Sequence, residues 1–511
     1  MLLVLLASAL LAFWFYRRNF ADASIWMLAT YVTVGVLLYQ DYNSVSAAHD
    51  ALPKIVRDFM LLGMVGFVQS LAVAKRISIA TAVVIIFCLF AGAYFLNDVI
   101  AEEGAPVVAE PSFTTQDAGL DANGELLIQV KHADRESFKA DAFMRGWSIA
   151  PAFAPKDADA TELDDYYILD VPGAASAQNI ANAERELAAM DKVIYFEPNE
   201  SIDLDPFNAS VPLANANPEN LLGINDPETG QQWAMRVLKM NEYFAELQQH
   251  EAKKQAKLVI LDTGIDSRHE DLGDNYFSID KKYDNDPMGH GTHCAGIAAG
   301  VTNNGIGIGS LAGTGRQPFV RVSSIKVLNA AGMGTQKTII AGIIEATDEG
   351  ADVISLSLGG PSNASRQKAY SQAVAYAQRH GAIVVAAAGN SNMDAYNYAP
   401  ANAKGIITVS ALDMYLLRAP FSNKVDRLDR GIAAPGVAIF STTPNNTYKA
   451  YSGTSMACPF VAGLLSVMKS IQPDLDYETA YEILHETGQD VTDGIETGRV
   501  VQPAAALRAL D

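Results

Sequence analysis

After about Gln231 the chain alternates short apolar runs with longer helical patterns, and this alternation restricts the fold more than any other feature of the 511 residues. The runs are Lys257–Leu261, Arg321–Val327, Val353–Leu358, Ile383–Ala387 and Ile406–Ser410. Ile383–Ala387 is apolar at every position and Lys257–Leu261 at all but its first, as expected of strands with both faces covered. Strands that alternate with helices form a parallel sheet, the α/β class. In such sheets functional groups collect beyond the carboxyl ends of the strands. Residues 231–511 are therefore read as one α/β domain, with its chemistry sought at the strand ends.

Three polar residues stand where that architecture places a site. Asp262 ends the first run, in VILDTGID. His290 opens the small-residue run GHGTHCAGIAAG, and Ser455 lies where a glycine turn enters the apolar helix of YSGTSMACPFVAGLL. A serine hydroxyl near neutral pH needs a base to take its proton. The base needs a carboxylate to fix its tautomer and stabilise its charged form. Singly, Asp262 reads as a strand-end turn residue and His290 as a satisfied core histidine. Jointly they supply the parts of nucleophilic catalysis, in the chain order Asp, His, Ser. There is no GxSxG elbow around Ser455, which argues against a lipase or esterase fold.

VILDTGID, GHGTHCAG and GTSMACPFVAG resemble the three active-site signatures of the subtilisin-like (S8) serine proteases, a resemblance that spans roughly Gln231 to Leu507. It implies a three-layer fold around a parallel sheet and a serine endopeptidase acting through an acyl-enzyme. Asp262 would orient His290, His290 would act as base and then acid, and Ser455 would attack the scissile carbonyl. Asn390, in VVAAAGNSN, matches the side-chain oxyanion donor, with the Ser455 backbone N–H as the second. Ser357, Leu358, Gly359 and Gly360 of SLSLGG match one edge of the substrate cleft, and Gly332 and Gly334 the other, where an extended peptide adds as a strand. Small apolar walls imply broad specificity with a preference for apolar or aromatic P1 residues. Protein or peptide substrates are the implied partners, and the chemistry needs no cofactor. Calcium is implied as a structural ion, with Asp271, Asn304 and Gln232 as ligands; read as residues alone, VTNNGIGI is an Asn-Gly turn. Phe460 and the stretch FSNKVDRLDRG depart from the family pattern, away from the three catalytic positions. His293 reads as structural. Cys294 and Cys458 follow His290 and Ser455 closely and read as two buried free thiols, a disulfide being the alternative.

The chain before the α/β domain divides in two. Residues 1–96 hold four apolar runs, Met1–Tyr16, Ile25–Tyr39, Phe59–Ala74 and Ile77–Leu96. Only the last, at 20 residues, reaches the length of an unaided span. Trp14, Tyr16, Trp26 and Tyr39 sit near run ends, as an aromatic belt requires. The expectation is an all-α membrane region of about four transmembrane helices, with a buried helical core as the plainer reading. A signal peptide is disfavoured because Arg17 and Arg18 follow the first run rather than precede it. Basic residues in the two short turns place those turns in the cytoplasm and everything after residue 97 on the extracytoplasmic side. No catalytic residue lies within these runs, which disfavours an intramembrane protease.

A linker, 97–123, leads to residues 124–199, which read as strand, helix, strand, helix, strand: Glu125–Lys131, Arg135–Arg145, Asp165–Val171, Ser176–Met190 and Lys192–Phe196. This small α+β, ferredoxin-like unit resembles the family's propeptide in its order of elements, its position and its ending, VIYFEPNES. That implies an intramolecular chaperone and inhibitor. Residues 200–230, rich in Asn, Pro and Asp, read as an exposed linker and a site of self-cleavage. The net charge of −21 argues against a nucleic-acid partner, which needs a basic face. An alternative function is a membrane-bound sensor or scaffold regulated by its protease domain; the intact Asp, His and Ser favour activity.

Overall fold

The computed structural model describes residues 124–510 apart from 174–176, 205–207, 211–222, 314–318 and 363–366. The four apolar runs and the linker to residue 123 lie outside the described residues. Residues 124–198 form β1 (Leu126–Val130), α1 (Arg135–Met144), β2 (Ser148–Pro151), β3 (Tyr166–Asp170), α2 (Ala177–Ala188) and β4 (Val193–Pro198). The strands make an antiparallel sheet in the order β2-β3-β1-β4. Alternation decides its faces: Leu126, Ile128 and Val130 pack with Phe138, Ala183 and Leu187 of the two helices. Strand β2, short, exposed and ending in Pro151, carries too little apolar pattern to be anticipated from sequence.

The stretch 200–230 is not simply an exposed linker. It contains β5 (Ser201–Asp203) and β6 (Asn208–Ser210), and both pair with the following domain. That domain starts with α3 (Trp233–Val237) and α4 (Met240–Leu247), followed by β7 (Ala256–Asp262), α5 (His290–Ala299), β8 (Val320–Lys326), β9 (Met333–Thr335) and α6 (Gln336–Asp348). Then come β10 (Val353–Leu356), β11 (Gly360–Pro361), α7 (Lys368–Arg379), β12 (Ile383–Ala387), β13 (Tyr398–Ala399), β14 (Ile407–Leu412) and β15 (Gly431–Pro435). The chain closes with β16 (Ile439–Thr443), β17 (Thr447–Ser452), α8 (Thr454–Ile471), α9 (Tyr477–Thr487), α10 (Gly494–Thr497) and α11 (Pro503–Arg508).

Six of these strands form one parallel sheet in the order β15-β14-β12-β10-β7-β8. All five strands anticipated from the apolar runs belong to it. The sixth, β15 (GIAAP), escapes notice because glycine, alanine and proline carry little strand signal. Leu258 and Ile260 of β7 pack toward α5 and α8, while Val259 and Leu261 pack toward α6 and α7. Helices thus cover both faces, which is why apolar residues fall on both sides of these strands. Helix α8 is the only described helix long and apolar enough to cross a membrane, and all 18 of its residues are buried, as a core helix's are.

Candidate active site

Asp262 is the last residue of β7 and His290 the first of α5. Both are fully buried, and His290 Nδ1 lies 2.8 Å from Asp262 Oδ2 and 2.9 Å from Oδ1. The backbone N–H of Thr263 donates to Asp262 Oδ1 at 2.7 Å, which holds the carboxylate still. Close approach of strand end and helix requires glycine at 291. A β-carbon there would lie 2.2 Å from the Gly264 carbonyl oxygen and 3.1 Å from Asp262 Cβ. Gly289, at φ 93°, makes the turn into the helix.

Ser455 is the second residue of α8 and donates its hydroxyl to the Ser357 carbonyl at 3.0 Å. Pro459 lies inside the helix and has no N–H to give back to the carbonyl of Ser455. That carbonyl accepts instead from Ser357 Oγ at 2.9 Å and from Cys294 Sγ at 3.5 Å. The helix break therefore ties the serine to both the end of β10 and helix α5. Asn390, which follows β12, has its side-chain oxygen fixed by the Thr454 N–H at 2.7 Å and the Thr454 hydroxyl at 2.9 Å. Thr454 Oγ1 in turn accepts from the Gly389 N–H. The Asn390 amide is thereby oriented by the residue next to Ser455. Only its adjacency to Ser455 marks Thr454 in the sequence.

Cys294 and Cys458 are free and buried, as expected. Burial raises both thiols, Cys458 to about 11, so neither is ionised near neutral pH. His293 is buried, donates its Nε2–H to the Lys449 carbonyl at 3.0 Å and stacks on Tyr451 with ring centroids 4.4 Å apart. Burial holds it down to about 3, neutral and structural.

Ser357, Leu358, Gly359 and Gly360 follow β10, Gly332 and Gly334 stand at β9, and the chain's own β5 lies against both segments. Ile202 pairs antiparallel with Gly334, and the Leu204 N–H donates to the Gly332 carbonyl at 2.9 Å. Ile202 is fully buried, and its Cδ1 lies 3.2 Å from where a β-carbon of Gly360 would stand. Beyond residues 205–207, β6 pairs antiparallel with β17, Asn208 opposite Ser452. Upstream, Asn199 Oδ1 accepts from the Lys337 N–H at the start of α6, and Glu197 Oε1 accepts from Gln336 Nε2 and the Ala369 N–H at the start of α7. These side chains satisfy helix N-terminal donors that otherwise lack partners. Burial pushes Glu197 up to about 7, the Glu200 charge adding to it. Periodicity carries no signal for such caps.

Of the three residues expected to hold calcium, Asp271 and Asn304 come together, with Asn304 Nδ2 donating to Asp271 Oδ1 at 2.9 Å. Gln232 turns both ends of its amide to the backbone of Gly309 in the same loop. Asp271 is buried and pushed up to about 7, first by burial and then by the charges of Asp226 and Glu270. Asp226, also buried, accepts N–H groups of Asn303, Asn304 and Gly305. Among the described residues no lysine or arginine is paired with either carboxylate. Oxygen donors of this kind, short of positive charge, fit a hard cation such as calcium.

Comparison with known proteins decides the family. The subtilase family matches residues 253–500. Thermitase of Thermoactinomyces vulgaris is 45% identical over 220 residues, 42% of this chain and 75% of thermitase. Subtilisin DY of Bacillus licheniformis is 41% identical over 250 residues, 48% of this chain and 87% of that protein. The chain belongs to the subtilase family. This subtilase is accordingly a serine endopeptidase, a hydrolase of peptide bonds. The structure of fervidolysin from Fervidobacterium pennivorans, a keratinolytic enzyme related to subtilisin, shares its fold at a TM-score of 0.62 and 23% identity, over 77% of this chain and 62% of that one.

Proposed function

We propose that Asp262, His290 and Ser455 are the catalytic triad of this subtilase and that Asn390 is its oxyanion donor. The observation that carries the reading is the buried Asp262–His290 pair at 2.8 Å, with Ser455 at the start of the helix tied to α5 through Cys294. His290 takes the Ser455 proton as Oγ bonds to the scissile carbonyl carbon. Asn390 and the Ser455 N–H stabilise the oxygen that becomes negative. His290 then protonates the departing amine, leaving an acyl-enzyme that water cleaves by the same steps in reverse roles. Asp262 holds the ring and offsets its charge throughout. Substrate lies as an added strand between Gly332–Gly334 and Ser357–Gly360.

The same reading makes residues 124–199 an intramolecular inhibitor and the chain its own first substrate. The pairing of β5 with β9, and of β6 with β17 just before the helix of Ser455, supports cleavage between Leu204 and Asn208. The match to fervidolysin extends over more of the chain than the α/β domain alone, which fits such a unit. Calcium held at Asp271 and Asn304 would stabilise the loop after α5 and take no part in the reaction. The apolar runs before residue 97 would attach the precursor to a membrane, with the enzyme on the extracytoplasmic side. Mass spectrometry of purified protein tests the core of this. Wild-type chain should separate at a bond within 204–208 and Ser455→Ala should stay whole; equal cutting in both would refute self-processing.

A further inference from the structure

We infer that Asp286 is a positioning residue for His290: one buried carboxylate joins the residue after Asp262 to the first turn of the helix that carries the base. The inference rests on the triad proposed above.

Asp286 is 6% exposed and collects five donors. Its Oδ1 accepts from Thr263 Oγ1 at 2.8 Å, the Gly289 N–H at 2.7 Å and the Met288 N–H at 3.1 Å. Its Oδ2 accepts from the Thr292 N–H at 2.8 Å and the Thr292 hydroxyl at 2.7 Å. The N-cap residue of α5 is Gly289, which has no side chain to cap with. Asp286, three residues earlier, takes the orphaned Thr292 N–H in its place. The Gly291 N–H, another first-turn donor, goes to Thr263 Oγ1 at 3.2 Å. Thr263 also stands beside the catalytic carboxylate, with its N–H on Asp262 Oδ1. Its hydroxyl lies 3.1 Å from Asp262 Oδ1 and 2.8 Å from Asp286 Oδ1, and its single proton serves the shorter contact.

Asp286 therefore fixes both ends of the Asp262–His290 hydrogen bond, one through Thr263 and the other through the helix start. Among the described residues it has no ion pair. Burying a carboxylate without a cation is costly unless its acceptor capacity is filled. Here that capacity is spent on the turn and helix start that set the direction of the imidazole. Base placement is sensitive to small displacements, since an error of about 1 Å can cost on the order of a hundredfold in rate.

The test is steady-state peptide hydrolysis by the full chain, with active sites counted by burst titration. Asp286→Asn keeps the size but sets an amide N–H₂ against the Thr292 donors. It should lower kcat by roughly ten- to a hundredfold, with KM within about twofold because neither cleft edge is touched. In an Asp262→Asn background the same change should add less than about twofold, because the pair it positions is already broken. Thr263→Val, which removes only the bridging hydroxyl, should lower kcat several-fold and serves if Asp286→Asn does not fold. An unchanged kcat per active site in a folded variant, or losses that multiply in the Asp262→Asn background, would overturn the inference. Wild-type turnover in His290→Ala would instead remove the triad on which it stands.

Discussion

Ile202 gives the sharpest handle on latency, because it belongs to the segment in the cleft and touches no catalytic group. Its side chain is fully buried and shares an apolar cluster with Leu328, Leu358 and Ala399. Ile202→Ala removes three carbons, worth about 0.8 kcal/mol each, or about 2.4 kcal/mol before any cavity cost. Ile→Ala in cores costs about 2–5 kcal/mol, and a cleft edge that can relax belongs in the lower part of that range. At about 1.4 kcal/mol per tenfold, 2–3.5 kcal/mol weakens occupancy of the cleft by roughly thirty- to several-hundredfold. The assay is hydrolysis of a small peptide substrate by the purified chain over a dilution series. Activity per enzyme rises as the cut inhibitory part dissociates. The concentration at half-maximal specific activity should shift upward by that factor in Ile202→Ala, and by only several-fold in Ile202→Val. A variant with the wild-type dilution curve would show that β5 does not hold the cleft closed.

Three further outcomes follow from the same geometry. Asn390→Ala should lower kcat by about 10²–10³ with KM little changed, the cost known from removing this type of donor in subtilisin itself rather than one worked from this structure. Glu197, docked, sits at about 7 and, released, returns to the ordinary carboxyl range, so the docked state holds an extra proton between the two values. Docking is thus strongest below about pH 4.5 and weakens as pH rises through 7, by about 3 kcal/mol in all; dissociation measured from pH 5 to 8 should show this, and Glu197→Gln should flatten it. Asp271 is likewise raised to about 7, so without calcium its ionisation lowers stability as pH climbs through 7. Calcium, which binds the ionised form, should raise Tm more at pH 8 than at pH 5, and Asp271→Asn should remove the difference.

Much of the candidate site is legible in the sequence because the proposed catalytic residues sit on the strongest periodic elements. Asp262 ends a strand covered on both faces, and His290 and Ser455 open helices of small apolar residues that must pack closely. What stayed hidden depends on contacts between distant segments. The caps by Glu197 and Asn199 join residues more than a hundred positions apart, and no local pattern marks them. Residues 200–230 look like solvent-exposed linker because the partner strands of β5 and β6 lie in another part of the chain. Asp286 had a local signal, an acidic residue just before a helix start, but its role needs the distance to Thr263.

The most direct measurement is labelling of the full chain with a serine-directed fluorophosphonate, followed by peptide mapping. The triad predicts a single modified residue, Ser455, and no labelling in Ser455→Ala or His290→Ala. Label on another serine, or undiminished labelling in Ser455→Ala, would contradict it.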